Sequence, residues 1–139
     1  MRTKILIIAI IILITLTGCN TNKLECTKEQ NSATIKINAT FNKENNNIET
    51  LKFNQKTIYD KFNAYIDLHY YELKESYSSL DNINGITYDV KENKNDITIN
   101  LNVDYNKLPN INNILIPIDK NSNIEIAKQK LINNGYTCK

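Results

Sequence analysis

The chain has 139 residues and a formal net charge of +2, a length that suits one domain with one hydrophobic core and argues against a second domain. The excess charge comes from Arg2 and Lys4, and residues 19–139 carry 15 lysines against 15 acidic side chains. These lysines are scattered rather than clustered, so we expect no binding to nucleic acid through a basic surface.

The N-terminus has the layout of an export signal. Arg2 and Lys4 are followed by an apolar run from Ile5 to Leu16 and then by Gly18 and Cys19. A positive segment, an apolar segment and small residues before a cleavage point are typical of secretory signals. The apolar run is shorter than the roughly 20 residues that a membrane-spanning helix needs. We therefore predict export rather than a transmembrane helix.

The segment from Leu16 to Cys19 resembles the lipobox of bacterial lipoprotein signals. This resemblance implies that residues 1–18 are a signal peptide that is removed, that the Cys19 thiol carries a lipid, and that residues 19–25 are a short tether. It also implies attachment to the extracytoplasmic face of the cell membrane. Isoleucine, asparagine and lysine are abundant, which favours an AT-rich genome and a Gram-positive source.

Two cysteines remain, Cys26 and Cys138. Disulfides persist outside the cytoplasmic membrane, so we expect these two residues to form one. Their similar local sequences suit two terminal strands lying side by side. Two free thiols are the alternative.

The first predicted hairpin follows. Apolar and polar residues alternate from Ala33 to Phe41, which is typical of a strand with one buried face. The alternation resumes from Ile48 to Asn54, with Ile48 out of phase at a predicted bulge.

The apolar spacing then changes to that of a long amphipathic helix. Thr57 and Asp60 have the pattern of a helix cap, and we expect the helix to end near Gly85. The predicted apolar stripe consists of Ile58, Phe62, Tyr65, Ile66, His69, Leu73, Tyr77 and Leu80.

The rest of the chain predicts a second hairpin, a loop and a closing helix. Strands are expected from Ile86 to Val90 and from Ile97 to Tyr105, on either side of a turn. Residues 107–120 contain two prolines and are predicted to be a loop with buried side chains. Ser122 and Glu125 form a capping-box pattern for a helix that ends at Gly135. Its predicted buried face consists of Ile124, Ala127, Leu131 and Ile132.

This element order predicts an α+β two-layer sandwich over residues 26–139. We expect a four-stranded antiparallel sheet with two helices on one face. The opposite face of the sheet is predicted to be polar, with Thr34, Lys36, Asn38, Thr40, Lys52, Asn54, Thr98, Asn100 and Asn102.

With these elements in order, the chain resembles the YehR-like family of small bacterial lipoproteins, a family of unknown function. The resemblance rests on the lipobox, the strand Ala33 to Phe41, the helix leading into Asn84 to Tyr88, the strand Ile97 to Tyr105, and the closing helix ending at Asn134 to Tyr136. It implies the fold and lipoprotein status and brings no catalytic residues. Enteric members lack the terminal cysteine pair, so the expected disulfide departs from their pattern.

The sequence after Cys19 contains no catalytic motif. No serine has a glycine elbow with a base, no glycine loop suits phosphate, and His69 is the only histidine. We therefore expect no enzyme, no cofactor and no metal. For His69, on the apolar stripe, a core role is favoured over a metal-binding one.

Two surfaces are candidates for binding. Tyr71 lies almost opposite the apolar stripe of the long helix, and tyrosine is common in binding surfaces because it joins apolar area to a polar tip. Thr98 and Asn100 represent the polar sheet face. The favoured alternatives are that the helix tyrosines form a half-buried edge of the core and that the polar sheet face is simply solvated. We hypothesise a non-enzymatic binding or accessory protein of the cell envelope, acting on another envelope protein. The alternative is a receptor for a peptide, glycan or lipid fragment bound near His69 and Tyr65.

Overall fold

A computed structural model describes residues 22–59, 65–111 and 115–139. These residues form six strands and two helices: β1 (Lys23–Gln30), β2 (Ala33–Phe41), β3 (Ile48–Ile58), α1 (Ile66–Ser78), β4 (Ile86–Glu92), β5 (Asp96–Asp104), α2 (Ile124–Asn133) and β6 (Thr137–Cys138). All strands belong to one sheet in the order β4-β5-β3-β2-β1-β6, and every neighbouring pair is antiparallel.

The α+β class is confirmed, but the prediction of a four-stranded sheet is wrong. β1 pairs with β2 over its whole length, and β6 adds a sixth strand beside β1. β1 contains only two buried apolar residues, Leu24 and Cys26. Its alternation is therefore too sparse to identify a strand from the sequence, and its place in the sheet depends on backbone pairing.

The predicted hairpin of β2 and β3 is confirmed, and so is its bulge. The pairing register shifts between Thr40, which faces Thr50, and Phe41, which faces Ile48. Glu49 is the extra residue, and this explains why Ile48 is out of phase with the residues that follow it.

The apolar side chains of the sheet lie on one face. Leu24, Ala39, Leu51 and Val103 follow one another across four strands as directly paired residues, and all four are buried. The same core includes Tyr77 from α1 and residues from α2, so both helices cover this face. α1 packs on β4 and β5, whereas α2 packs on β1 and β6.

The prediction that the long helix begins at Ile58 is wrong. The backbone there continues the sheet, because the Ile58 N–H donates to the Ser32 carbonyl at 2.8 Å and the Tyr59 N–H donates to the Asn95 carbonyl at 2.9 Å. Thr57 is therefore a strand residue and not a cap. Ile58 and Tyr65, both predicted to be buried, are 57% and 72% exposed. Asp60 and Phe62 lie outside the described residues.

The predicted cap of the closing helix is also wrong, by one residue. Asn123 is the N-cap, and its side-chain oxygen accepts from the Ile126 N–H at 2.9 Å. Ser122 is instead buried, and its backbone carbonyl accepts a hydrogen bond from the Ile48 N–H at 3.2 Å. Of the predicted buried face, Ala127 and Leu131 are buried and Ile132 is exposed.

The chain between β5 and α2 is irregular with buried side chains, as predicted for its described part. Leu108, Ile116 and Ile118 are buried in the core. The hydroxyl of buried Tyr105 donates to the Ile118 carbonyl at 2.6 Å and ties this segment to the end of β5. Burial raises the pKa of Tyr105. Residues 112–114 lie outside the described residues.

The expected disulfide is confirmed: Cys26 and Cys138 are bonded across the β1–β6 pair, with their Cα atoms 4.1 Å apart. The neighbouring Lys139 N–H donates to the Glu25 carbonyl at 2.8 Å. The bond joins residues that are 112 positions apart. Closing a loop of this size lowers the conformational entropy of the unfolded chain. On the chain-entropy model this stabilises the folded state by about 4–5 kcal/mol.

We expect reduction of this disulfide to lower the free energy of unfolding by about 2–5 kcal/mol, because the unfolded chain regains its freedom. Urea unfolding with and without reductant measures the change. The double variant Cys26→Ala/Cys138→Ala is the control, since reductant should not move its midpoint. An identical midpoint for the wild type with and without reductant would contradict the prediction.

Candidate binding surfaces

α1 divides into an inner and an outer side. Its inner residues, which contact the core, are Ile66, Tyr70, Leu73 and Tyr77. On the opposite side Leu68 is 56% exposed and Tyr71 is 65% exposed. We define the outer α1 face as Tyr65, Leu68, Tyr71, Glu72 and Glu75. Tyr71 thus lies where its position on the helix predicts, and the exposure of Leu68 was not foreseen.

The outer α1 face is both apolar and acidic. Asp67, Glu72 and Glu75 are exposed on this helix, against one base, Lys74. Lys74 lies over the ring of Tyr70, 5.7 Å from its centre, and the Tyr70 and Tyr71 rings meet edge to face at 5.5 Å. These contacts restrict the aromatic rings, so the face presents ordered apolar area beside negative charge.

The polar sheet face forms as predicted, on the side away from the helices. Its side chains bond to one another across strands: the Asn54 amide donates to Asn100 at 2.8 Å, and the hydroxyls of Thr40 and Thr50 are 2.6 Å apart. The Thr98 hydroxyl donates to the Asp96 carboxylate at 3.3 Å. Several hydrogen-bonding side chains of this face are therefore already paired within the sheet.

The structure places the candidate binding residues on two different layers. Thr98 and Asn100 lie together on the polar face of β5, where they pair with Lys56 and Asn54 of β3. Tyr71 lies on the helical layer, on the other side of the sheet. The two candidate surfaces are thus distinct, and a single small partner would not contact both. Cys19 lies outside the described residues.

A groove at one end of the polar face was not foreseen from the sequence. Its volume is about 650 Å³, and Thr50, Lys52, Thr87 and Asn102 belong to its lining. The turn between α1 and β4 forms one wall. This turn is braced by Gly85, whose carbonyl accepts from the Asp104 N–H at 2.7 Å. The Asn-Gly pair in the sequence signals such a turn, but not the wall that it builds.

A second groove, of about 630 Å³, lies where the apolar sheet face extends beyond the helices. It is lined by Ile35, Gln55, Tyr59 and His69 among others. The Tyr59 hydroxyl is hydrogen-bonded to Nδ1 of His69, and burial raises the pKa of Tyr59. We call it the His69 groove. His69 is half-buried and hydrogen-bonded, and it lines this groove.

Within residues 22–59, 65–111 and 115–139, no group of three or more His, Cys, Asp or Glu side chains is placed to hold a metal ion. Over the same ranges no helix is long and apolar enough to cross a membrane.

The fold defines a class: a two-layer α+β sandwich with a six-stranded antiparallel sheet and two helices on one face. Among solved structures, the chain is similar to the Escherichia coli YehR protein, with a TM-score of 0.64 and 12% identity over 87% of this chain and 92% of that one. It is also similar to a protein from Streptococcus pneumoniae TIGR4, with a TM-score of 0.53 and 18% identity over 84% of both chains. No family model and no curated protein matches the chain. The chain therefore has a YehR-like fold, and the likeness carries no function with it.

We expect Gly85→Ala to destabilise the protein by about 2–5 kcal/mol. The backbone of Gly85 has φ of +85°, and a Cβ there would lie 2.5 Å from the Asp104 carbonyl oxygen and 2.9 Å from the Leu108 nitrogen. Gly135→Ala is the matched control, since φ is +86° but the Cβ would meet only the Lys28 side chain at 3.5 Å. That variant should lose about 1–2 kcal/mol. Equal losses in urea unfolding would contradict a bracing role for Gly85.

Proposed function

We propose that this protein is a non-enzymatic, lipid-anchored accessory protein that binds another envelope protein through its outer α1 face. One observation supports the choice of surface: Leu68 and Tyr71 are more than half exposed on the same side of one helix. A contiguous exposed apolar patch on a soluble domain is commonly an interaction site, because leaving it in water is unfavourable.

The chemistry of the outer α1 face indicates what it would bind. Aromatic and leucine side chains supply apolar area, and Glu72 and Glu75 add negative charge beside it. A complementary partner presents an apolar groove with basic residues at its rim. The polar sheet face is a weaker candidate, because cross-strand bonds such as that between Asn54 and Asn100 already use its polar groups.

The tether is short in this proposal. If Cys19 carries the lipid, only residues 20–22 separate it from β1, which begins at Lys23. At ~3.5 Å per residue, the start of β1 lies within about 14 Å of the lipidated residue. Such an anchor keeps the domain beside the bilayer, where its partners would be membrane or wall-associated proteins.

We expect Cys19→Ala to move the full chain from the membrane fraction to the soluble fraction of cells, because the thiol that would carry the lipid is lost. Cell fractionation and immunoblotting measure the distribution. The double variant Cys26→Ala/Cys138→Ala is the matched control and should stay with the membrane. Retention of Cys19→Ala in the membrane fraction would contradict lipid anchoring at this residue.

We expect a photo-crosslinking residue at position 71 of the full chain, expressed in intact cells, to capture one reproducible envelope protein. The same residue at position 98, on the polar sheet face, should not capture it. Leu68→Ser should reduce the capture at position 71 by about tenfold, since a central apolar contact is worth more than 1 kcal/mol. Equal capture from both positions would contradict binding through the outer α1 face.

A small-ligand receptor is the second candidate, and the His69 groove favours it. Its volume of about 630 Å³ lies within the range of small-molecule sites. Its lining combines apolar Ile35 with the hydrogen-bonded Tyr59 and His69. An empty capture at both crosslinking positions would favour this candidate over the accessory protein.

A further inference from the structure

Among the described residues, no strand pairs with the outer side of β4, so this edge of the sheet is open. In the strand order β4 is the terminal strand, with β5 on one side only, and it is seven residues long. The other terminal strand, β6, has two residues and is covalently bonded to β1. A long open edge exposes a row of backbone donors and acceptors that another strand can join.

The hydrogen-bond pattern identifies which residues of β4 face outward. The Asp104 N–H donates to the Gly85 carbonyl at 2.7 Å, and the Asn93 N–H donates to the Asp96 carbonyl at 2.8 Å. Antiparallel pairs alternate between bonded and non-bonded positions. The backbone groups of Tyr88, Val90 and Glu92 therefore point away from β5.

The usable edge is symmetric about Val90. Toward the start of β4, the outward N–H of Ile86 is already bonded to the Ile83 carbonyl at 3.2 Å. Toward the end of the strand, the chain turns back at Asn93. Tyr88 and Glu92 thus lie at equal distances from the centre of a short free edge.

We propose that β4 pairs with β4 of a second copy of this chain, antiparallel and centred on Val90, to form a two-fold symmetric dimer with one continuous sheet. In this register Val90 bonds Val90 of the other copy, and Tyr88 lies opposite Glu92. The pairing extends through the outward groups of both strands.

The charges of β4 select this register. With Val90 at the centre, Asp89 of each copy lies directly opposite Lys91 of the other, on the polar sheet face. Moving the centre to Asp89 would place two aspartates opposite each other, and moving it to Lys91 would place two lysines opposite each other. Directly opposed like charges destabilise antiparallel pairs, whereas opposite charges stabilise them. Asp89 and Lys91 therefore favour pairing with a second copy of β4 in the register centred on Val90.

The first part of β4 borders a groove beside α1. This groove of about 600 Å³ is lined by the β4 residues from Ile86 to Val90 and by Tyr70 and Lys74 of α1. Asp89 and Lys91 already form an ion pair at 2.9 Å within one copy, with both side chains partly exposed. Both are therefore accessible to exchange partners with the second copy. Pairing along the short free edge of β4 forms a small interface, so we expect a weak dimer.

Charge exchange tests the proposal. The purified full chain, in detergent, is followed by sedimentation velocity from about 10 μM to 1 mM, the range that suits a small interface. The wild type should dimerise with rising concentration. Lys91→Asp and Asp89→Lys should each weaken the dimer by about tenfold or more, since each variant turns two attractive pairs into two repulsive ones. The double exchange Asp89→Lys/Lys91→Asp should restore it.

Lys36→Asp is the matched control, because it makes the same charge change on the polar face of β2, away from the edge. It should dimerise like the wild type. Circular dichroism of each variant verifies folding, and the two single exchanges report independently should one of them unfold. A wild type that stays monomeric throughout the range would overturn the proposal. So would single exchanges that dimerise normally, or a double exchange that fails to recover.

Discussion

The arrangement of the molecule depends on the two-sided pairing of β3. This 11-residue strand bonds to β2 along one side and to β5 along the other, and the β5 ladder continues to the Tyr59 N–H. The backbone groups between Ile48 and Ile58 are hydrogen-bonded to β2 and β5, so no helix can begin there. The chain must leave the sheet before α1 forms. The end of β3 consequently remains beside His69, where it lines the groove that α1 leaves uncovered.

A central strand with one apolar and one polar side also separates the candidate surfaces. The helices cover the side that carries Leu51, so any surface on α1 is directed away from Thr98 and Asn100. The polar side is stabilised by its own cross-strand bonds, whereas the outer α1 face presents apolar side chains to water. The two layers therefore differ in what they offer a partner.

The two edges of the sheet differ in length and in how they are closed. At β6 the Cys26–Cys138 bond and the pairing of Lys139 with Glu25 close a two-residue strand onto β1. At β4 no strand in the described part of the chain pairs with the outer edge, and Asp89 and Lys91 are its charged residues on the polar face. Charged residues commonly protect an edge from unselective pairing. Here their spacing also makes the edge complementary to itself.

The sequence by itself determined the elements whose periodicity is unbroken: the alternation of β2 and β5 and the end of α2 at asparagine and glycine. It also indicated the disulfide, since two cysteines remain near the chain ends. It did not place the end of α1, which stops at Ser78, before the Asn-Gly pair. Tertiary structure decided the rest. β1 has too few apolar residues to be recognised alone. Thr57 and Ile58 fit a helical stripe as well as a strand, and only their backbone pairing with β2 and β5 assigns them to the sheet. The grooves and the open edge arise between elements distant in sequence, because a local pattern records which side of an element is apolar and not what packs against it.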